Sequence, residues 1–309
     1  MPATTLGPRA GESGFTLIEL MVSLTLLMVV SGTVLKGVMD MARINETVTN
    51  RTDLHNGVRN ATELLTQEVG QAGRVSLPAA VTLTAAAGLA TTALTVSSTA
   101  GMFAGERIVV DTGASEETVT IGAVNSATAL TVSATARAHA ANAPVTVRGG
   151  FGSGIVPDTI VNGSTGGRLK IYGDINGDGR MVYIEYWCDI GDDGFGRLYR
   201  NVMAFNAGAK LPPGVEQILI DNIQVNPDNT PCFTYQRETV NGTTYIVDVA
   251  ITLTVRTQRV DPVTRQRQTE TKALLNVSPR NVFNVWELAS LGITNRLQPM
   301  PASVQALLP

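Results

Sequence analysis

The sequence predicts an α+β protein: a long N-terminal α-helix whose first half can cross a membrane, packed on an antiparallel β-sheet head that carries an inserted small all-β module. Three observations carry this expectation. From Phe15 to Leu35 the chain reads FTLIELMVSLTLLMVVSGTVL, with Glu19 its one charge. As a helix at 1.5 Å per residue this run spans the roughly 30 Å hydrocarbon core of a bilayer. Apolar residues then recur at spacings of three and four as far as Ala72, the mark of a one-sided helix. Beyond that point, runs rich in Val, Ile, Thr and Tyr alternate with Gly, Asn and Asp, as strands alternate with turns.

Composition narrows the function classes. The chain has 309 residues, enough for about two domains. Charged residues make up 16%, below the ~25% of soluble domains, and the apolar excess is concentrated in the N-terminal run. A formal net charge of −3 offers no surplus to neutralise phosphates, so no nucleic-acid partner is expected. The two cysteines, Cys188 and Cys232, lie outside any C-x-x-C spacing, which excludes zinc-finger and thioredoxin-like motifs.

The first helix is expected over 15–76, with its apolar span at about 15–36. Its later stripe comprises Met41, Ile44, Val48, His55, Val58, Thr62, Leu65, Val69 and Ala72, with one gap between Val48 and His55. That face is expected to pack on the head. Gly70 and Gly73 mark the stop, while Gly32 and Gly37 permit a bend. His55 reads as a half-exposed helix histidine rather than a ligand.

Glu19 needs its own explanation, because a carboxylate inside an apolar span costs on the order of 2.5–3.5 kcal/mol by insertion scales. A cleavable secretory signal would have a shorter apolar core, ~7–15 residues, followed by a small-residue cleavage site. Here the core is longer and no A-x-A follows.

Gly14-Phe15-Thr16-Leu17-Ile18-Glu19 resembles the type IV prepilin motif, also called a class III signal. The resemblance implies a leader at 1–14, cleavage after Gly14 by a prepilin peptidase, and N-methylation of the new first residue, Phe15. It also implies an assembly role for Glu19, now the fifth residue of the mature chain. In a membrane or filament core its carboxylate can pair with the N-terminal amine of a neighbouring subunit, offsetting both desolvation costs. The implied fold is type IV pilin-like.

Residues 77–150 are rich in Ala, Thr, Val, Ser and Gly and are expected to form the inserted module, a small sandwich or barrel. Its strands are read at Ala93–Val96, Arg107–Asp111, Thr118–Val124, Ala129–Val132 and Val145–Arg148. GMFAGERI and ARAHAANAPV within it resemble small β modules of surface and phage-associated proteins, with a plain spacer as the alternative. His139 is placed in a polar loop without chemistry. Gly149 to Asp158 reads as a linker into the antiparallel head at 151–279. Head strands are read at Arg168–Tyr172, Met181–Trp187, Arg197–Asn201, Ile218–Val225, Cys232–Arg237, Tyr245–Arg256 and Thr269–Leu275. A tail, 280–309, completes the chain.

Asp174, Asn176, Asp178, Gly179, Arg180 and Glu185 match the calcium-loop pattern D-x-[DN]-x-[DN]-G-x5-E, with the Arg180 backbone carbonyl as one donor. The following MVYIEYW favours a strand, so a helix-loop-helix is excluded, and a metal-free turn is the alternative. A second acidic cluster comprises Asp189, Asp192, Asp193 and Gly194. No cofactor is required, and calcium is the one metal the pattern suggests. Cys188 ends one expected strand and Cys232 begins another, so a Cys188–Cys232 bridge can form in a head that folds outside the cytoplasm, two buried thiols being the alternative.

The run DINGDGRMVYIEYWCD with GRLYRNV, and the later VRTQRVDPVTRQRQTETKALLNVSPRNV, resemble the heads of PilW-type minor pilins and type II secretion pseudopilins. The resemblance implies a structural minor pilin, near the filament tip or initiation complex and serving pilus assembly, adhesion or motility. The alternative is a minor pseudopilin of a type II secretion system. Implied partners are the prepilin peptidase, major and minor pilins or pseudopilins, and the inner-membrane assembly platform. The implied location is the bacterial inner membrane, single-pass with the head outside, and then the pilus or cell surface, or the periplasm for a pseudopilin. A membrane-anchored periplasmic enzyme is disfavoured, because G-x-S-x-G, H-E-x-x-H, P-loop and Cys/His signatures are missing.

Overall fold

The computed structural model describes residues 14–191, 195–214 and 217–309, with side chains throughout except at 274–276. Helix α1 (Leu17–Gln71) runs unbroken for 55 residues, about 83 Å at 1.5 Å per residue. It starts at a capping box. The Thr16 hydroxyl accepts from the Glu19 N–H at 3.3 Å, and Glu19 Oε2 accepts from the Thr16 N–H at 3.0 Å, satisfying donors that a helix start leaves open. It ends where Gly73 takes φ +81°, beside the Phe151 carbonyl oxygen, which would lie 2.7 Å from a Cβ there.

Residues 17–46 of α1 are all exposed. The head packs apolar side chains on the helix from about Leu54, burying Val58, Ala61, Thr62, Leu65, Glu68 and Val69. The expected packing stripe is thus corrected at its start: Met41, Ile44 and Val48 are 70%, 56% and 56% exposed. The head meets this stretch through the polar side chains of Thr47 and Arg51, which leaves these three bare.

The next strands are β1 (Val81–Thr82), β2 (Ala93–Thr95), β3 (Arg107–Val110), β4 (Glu117–Val124), β5 (Ala129–Val132) and β6 (Pro144–Val147). They form one antiparallel sheet in the order β1-β6-β3-β4-β5-β2. A bridge between Leu83 and Val96 joins its two ends, curling it around Leu83, Leu94, Ile108, Val119, Ile121 and Leu130. The short β7 (Gly150–Phe151) follows.

The second sheet comprises β8 (Arg168–Gly173), β9 (Val182–Asp189), β10 (Gly196–Ala204), β11 (Ile218–Gln224), β12 (Phe233–Val240), β13 (Thr243–Arg256) and β14 (Thr269–Val277). Its order is β12-β13-β11-β10-β9-β8, and β14 also pairs with β13. Leu169, Ile171, Ile184, Tyr186, Leu198, Ile223 and Ile251 pack with the buried face of α1 in one core. Burying each large apolar side chain contributes roughly 1.5–3 kcal/mol, which is why this third of α1 is held.

Two expectations change here. The linker Gly149 to Asp158 is core: Phe151, Ile155 and Val156 are fully buried. Its glycines serve close packing rather than flexibility. Gly149 has φ +86°, and a Cβ on it would lie 1.7 Å from the Arg296 carbonyl oxygen. The tail 280–309 is also structured, as α2 (Arg280–Ser290), β15 (Leu297–Gln298) and α3 (Ala302–Leu307). Val282, Val285 and Ala289 of α2 pack with Tyr245 and Val247, and β15 pairs in parallel with β7. Val304, Leu307 and Leu308 join Phe103, Phe151, Tyr172 and Phe205 where the two sheets meet.

Candidate functional site

The N-terminal segment assembles its features on one helix start. Gly14 and Phe15 precede α1, and the Phe15 ring is 85% exposed. Glu19 lies in the first turn, where a carboxylate favours the positive end of the helix dipole. Its Oε2 also accepts from the Thr16 hydroxyl at 2.9 Å. Thr16 is therefore a partner of Glu19 that the sequence reading missed, although T-x-x-E before an apolar run is a readable capping signal. Leader residues 1–13 lie outside the described residues. From Leu20 to Leu35 the helix carries no charged side chain, and it is long and apolar enough to cross a membrane.

The calcium-loop residues do not converge. Asp174 is fully buried. Its Oδ1 accepts from the Asp178 N–H at 3.0 Å, and its Oδ2 accepts from the Ser76 hydroxyl at 2.5 Å, with Arg74 Nε 3.6 Å away. Asp178 Oδ1 accepts from the Arg180 N–H at 2.9 Å. Asn176 sits in the same turn, where Gly177 and Gly179 have φ of +71° and +79°. Glu185, in contrast, lies on β9 opposite Lys170, four residues before Asp174. At ~3.3 Å per residue the two backbones are roughly 13 Å apart, against a calcium shell of ~2.3–2.6 Å.

Glu185 instead accepts from Arg168 at 2.7 Å, Lys210 at 2.8 Å and the Tyr183 hydroxyl at 3.1 Å. Burial opposes its ionisation, yet the hydrogen bond and charge of Lys210, with Lys170 and Arg168 beside it, hold its carboxyl below the ordinary range. Among the described residues no group of three or more His, Cys, Asp or Glu is placed to hold a metal ion. The expected calcium loop is corrected to a hydrogen-bonded turn because the outgoing strand carries its last acid away. In the second acidic cluster, Asp189 Oδ1 accepts from the Gly191 N–H at 3.2 Å, and 192–194 lie outside the described residues.

Cys188 on β9 and Cys232 just before β12 are joined by a disulfide, with Cα atoms 6.4 Å apart. His55 is exposed, its Nδ1 2.5 Å from the Glu270 carboxylate. His139 departs from its expected polar loop: its side chain is fully buried, with Nδ1 3.3 Å from Asp111 Oδ2 and Nε2 2.6 Å from Glu117 Oε1. The hydrogen bond from the Thr112 backbone, with that from His139, holds the Asp111 carboxyl below the usual range. These two carboxylates take opposite edges of the ring, so the trio is a hydrogen-bonding clamp within the module, with both ring nitrogens occupied.

The model of the family described as the prokaryotic N-terminal methylation motif matches residues 9–35. No curated protein and no solved structure matches the chain significantly. The chain thus carries a prepilin-like class III signal, that of type IV pilin-like and pseudopilin proteins. This motif belongs to a structural rather than an enzymatic family, and with the apolar helix it points to a membrane-anchored protein.

Proposed function

We propose that the protein is a structural minor pilin of a type IV pilus, assembled near the filament tip or initiation complex. The observation that carries this reading is the methylation motif at 9–35 set on an unbroken helix whose first 30 residues are wholly exposed. In a lone subunit that apolar surface needs a membrane; in a filament it packs against the same surface of neighbouring subunits. On this reading a prepilin peptidase cuts between Gly14 and Phe15, Phe15 is N-methylated, and Glu19 exchanges its Thr16 contacts for a neighbour's N-terminal amine.

The head then lies outside the inner membrane, in a compartment that sustains the Cys188–Cys232 bridge. The 77–150 module adds bulk that is awkward to repeat along a thin filament, which supports a minor subunit over a major one. We assign that module to surface display.

The test is mass spectrometry of sheared surface filaments and of membranes from native cells. A peptide beginning at N-methylated Phe15 in the sheared fraction is expected. The same peptide confined to membranes would favour a type II secretion pseudopilin, and an intact leader in both fractions would overturn processing altogether. Glu19→Val is expected to leave cleavage intact and reduce incorporation into filaments; normal incorporation would remove the assembly role.

A further inference from the structure

The β13–β14 hairpin runs beside α1 in a fixed register. The Glu270 carboxylate lies 2.5 Å from His55 Nδ1, Gln268 Oε1 accepts from Arg51 Nε at 2.5 Å, and Asp261 Oδ1 accepts from the Thr47 hydroxyl at 3.2 Å. Each step along the hairpin towards its turn is therefore a step along α1 towards the apolar span. The Asp261 N–H donates to the Gln266 carbonyl at 3.0 Å, closing the turn and leaving 262–265 as its tip. The hairpin points at the membrane end of the helix.

The tip's composition is one-sided. Arg259, Arg265 and Arg267 are exposed, and Val260 and Val263 are 50% and 60% exposed. The one acid between Thr257 and Thr269, Asp261, is buried and turned inward. Its carboxylate accepts from the Val263 and Thr264 N–H groups at 2.7 and 2.9 Å and from Gln268 and Thr47. On the adjoining turns of α1, Arg43 lies 3.6 Å from Asp40, and Lys36 and Arg51 offset Glu46 and Asp53 in sign. What faces outward is thus basic with two small apolar side chains, the chemistry of a surface that meets anionic headgroups and inserts shallowly.

The heights agree. Thr47 lies 12 residues beyond Leu35, about 18 Å along the helix axis. Two residues of chain past Asp261 cover about 7 Å of this, and the headgroup layer about 5–7 Å. The remaining gap is shorter than the ~8 Å Debye length.

We propose that the β13–β14 tip seats on anionic lipid headgroups of the leaflet from which α1 emerges, holding the head in one orientation over its anchor before assembly. The proposal rests on the reading of the first half of α1 as a membrane span. Full-length protein carrying Val263→Cys, labelled there with an environment-sensitive fluorophore, would be reconstituted in vesicles of phosphatidylcholine alone or with about 30% phosphatidylglycerol, enough anionic lipid to give the surface a negative potential. The two native cysteines are joined to each other, so the new thiol is the labelling site.

A blue shift with phosphatidylglycerol, reversed by high salt, is expected. Arg259→Gln, Arg265→Gln and Arg267→Gln should each lower the ratio of seated to free hairpin about fivefold. Equal spectra in the two vesicles, with the chain still resistant to alkaline carbonate, would overturn the seating alone. Release of the chain by carbonate would overturn the membrane-span reading on which it stands. A shift that grows with protein-to-lipid ratio and ignores lipid charge would assign the tip to a second copy of the chain and overturn the proposal.

Discussion

Glu68 of α1 and Arg200 of β10 meet across the helix–sheet interface as a two-pronged ion pair. Arg200 Nε lies 3.1 and 3.2 Å from the two Glu68 oxygens, Nη2 donates to Oε1, and the Tyr186 hydroxyl donates to Oε2. Glu68 is buried and Arg200 partly so. A charge in this position is held by its partner, since removing one member leaves the other uncompensated. Burial, with the neighbouring Glu68 charge, pushes the Tyr186 hydroxyl above its ordinary range, so it stays a donor.

Glu68→Gln should therefore destabilise the head by about 2–3 kcal/mol, less than a fully buried pair because Arg200 retains some solvent. Urea denaturation followed by fluorescence of Trp187 and Trp286 would read it. A loss below ~0.5 kcal/mol would show that the pair does not hold α1 on the sheet.

Glu106 carries the pH dependence. Its side chain is fully buried, with Oε1 unpartnered among the described residues and Oε2 accepting from the Phe103 N–H at 3.3 Å. Burial pushes its carboxyl up to about 8. The folded state thus keeps a proton that the unfolded chain releases near pH 4.5, so this group lowers stability progressively as pH rises from about 4.5 to 8. The loss is at most about 5 kcal/mol. Melting temperatures should fall across that window, and Glu106→Gln should flatten the fall; an equally steep fall in the variant would assign it to other groups.

The Cys188–Cys232 bridge closes a loop over a sequence separation of 44. On the chain-entropy account this constrains the unfolded state by about 4 kcal/mol. The double variant Cys188→Ser with Cys232→Ser should melt markedly lower than wild type under oxidising conditions and at the same temperature as reduced wild type. Equal melting of oxidised and reduced wild-type protein would remove the bridge from the stability account.

Gly149→Ala should unseat the C-terminal segment. The left-handed φ and the Arg296 carbonyl both exclude a Cβ, and the nearby Gln298 amide accepts from the Arg107 N–H and donates to the Arg107 carbonyl, both at 2.8 Å. Faster hydrogen exchange at Arg107 and along α3, with the β8–β9 ladder unchanged, is the expected signature. Unchanged protection at Arg107 would show that the contact tolerates a methyl group.

Features that depend on local pattern were legible in the order of residues alone. Apolar length specifies the span from Phe15, and Gly14 to Glu19 reads as a processing signal because the motif is contiguous. Most strand positions follow from β-branched runs between turn residues: Arg168–Tyr172 and Ile218–Val225 as read differ by one residue from the strands Arg168–Gly173 and Ile218–Gln224. Features that depend on distant segments meeting emerged only in the folded chain. Met41, Ile44 and Val48 stay bare while Leu65 is buried, because the sheet buries apolar side chains only along the last third of α1 and meets the preceding turns through polar contacts of Thr47 and Arg51. The glycine-rich stretch after Val147 becomes part of the core, and 280–309 folds back as helices. Glu185 pairs with Lys210 and Arg168 rather than meeting Asp174, and His139 sits between Asp111 and Glu117. The physical reason is range: periodicity and backbone preference act over a few residues, whereas burial and charge pairing depend on which side chains topology brings within a few ångströms.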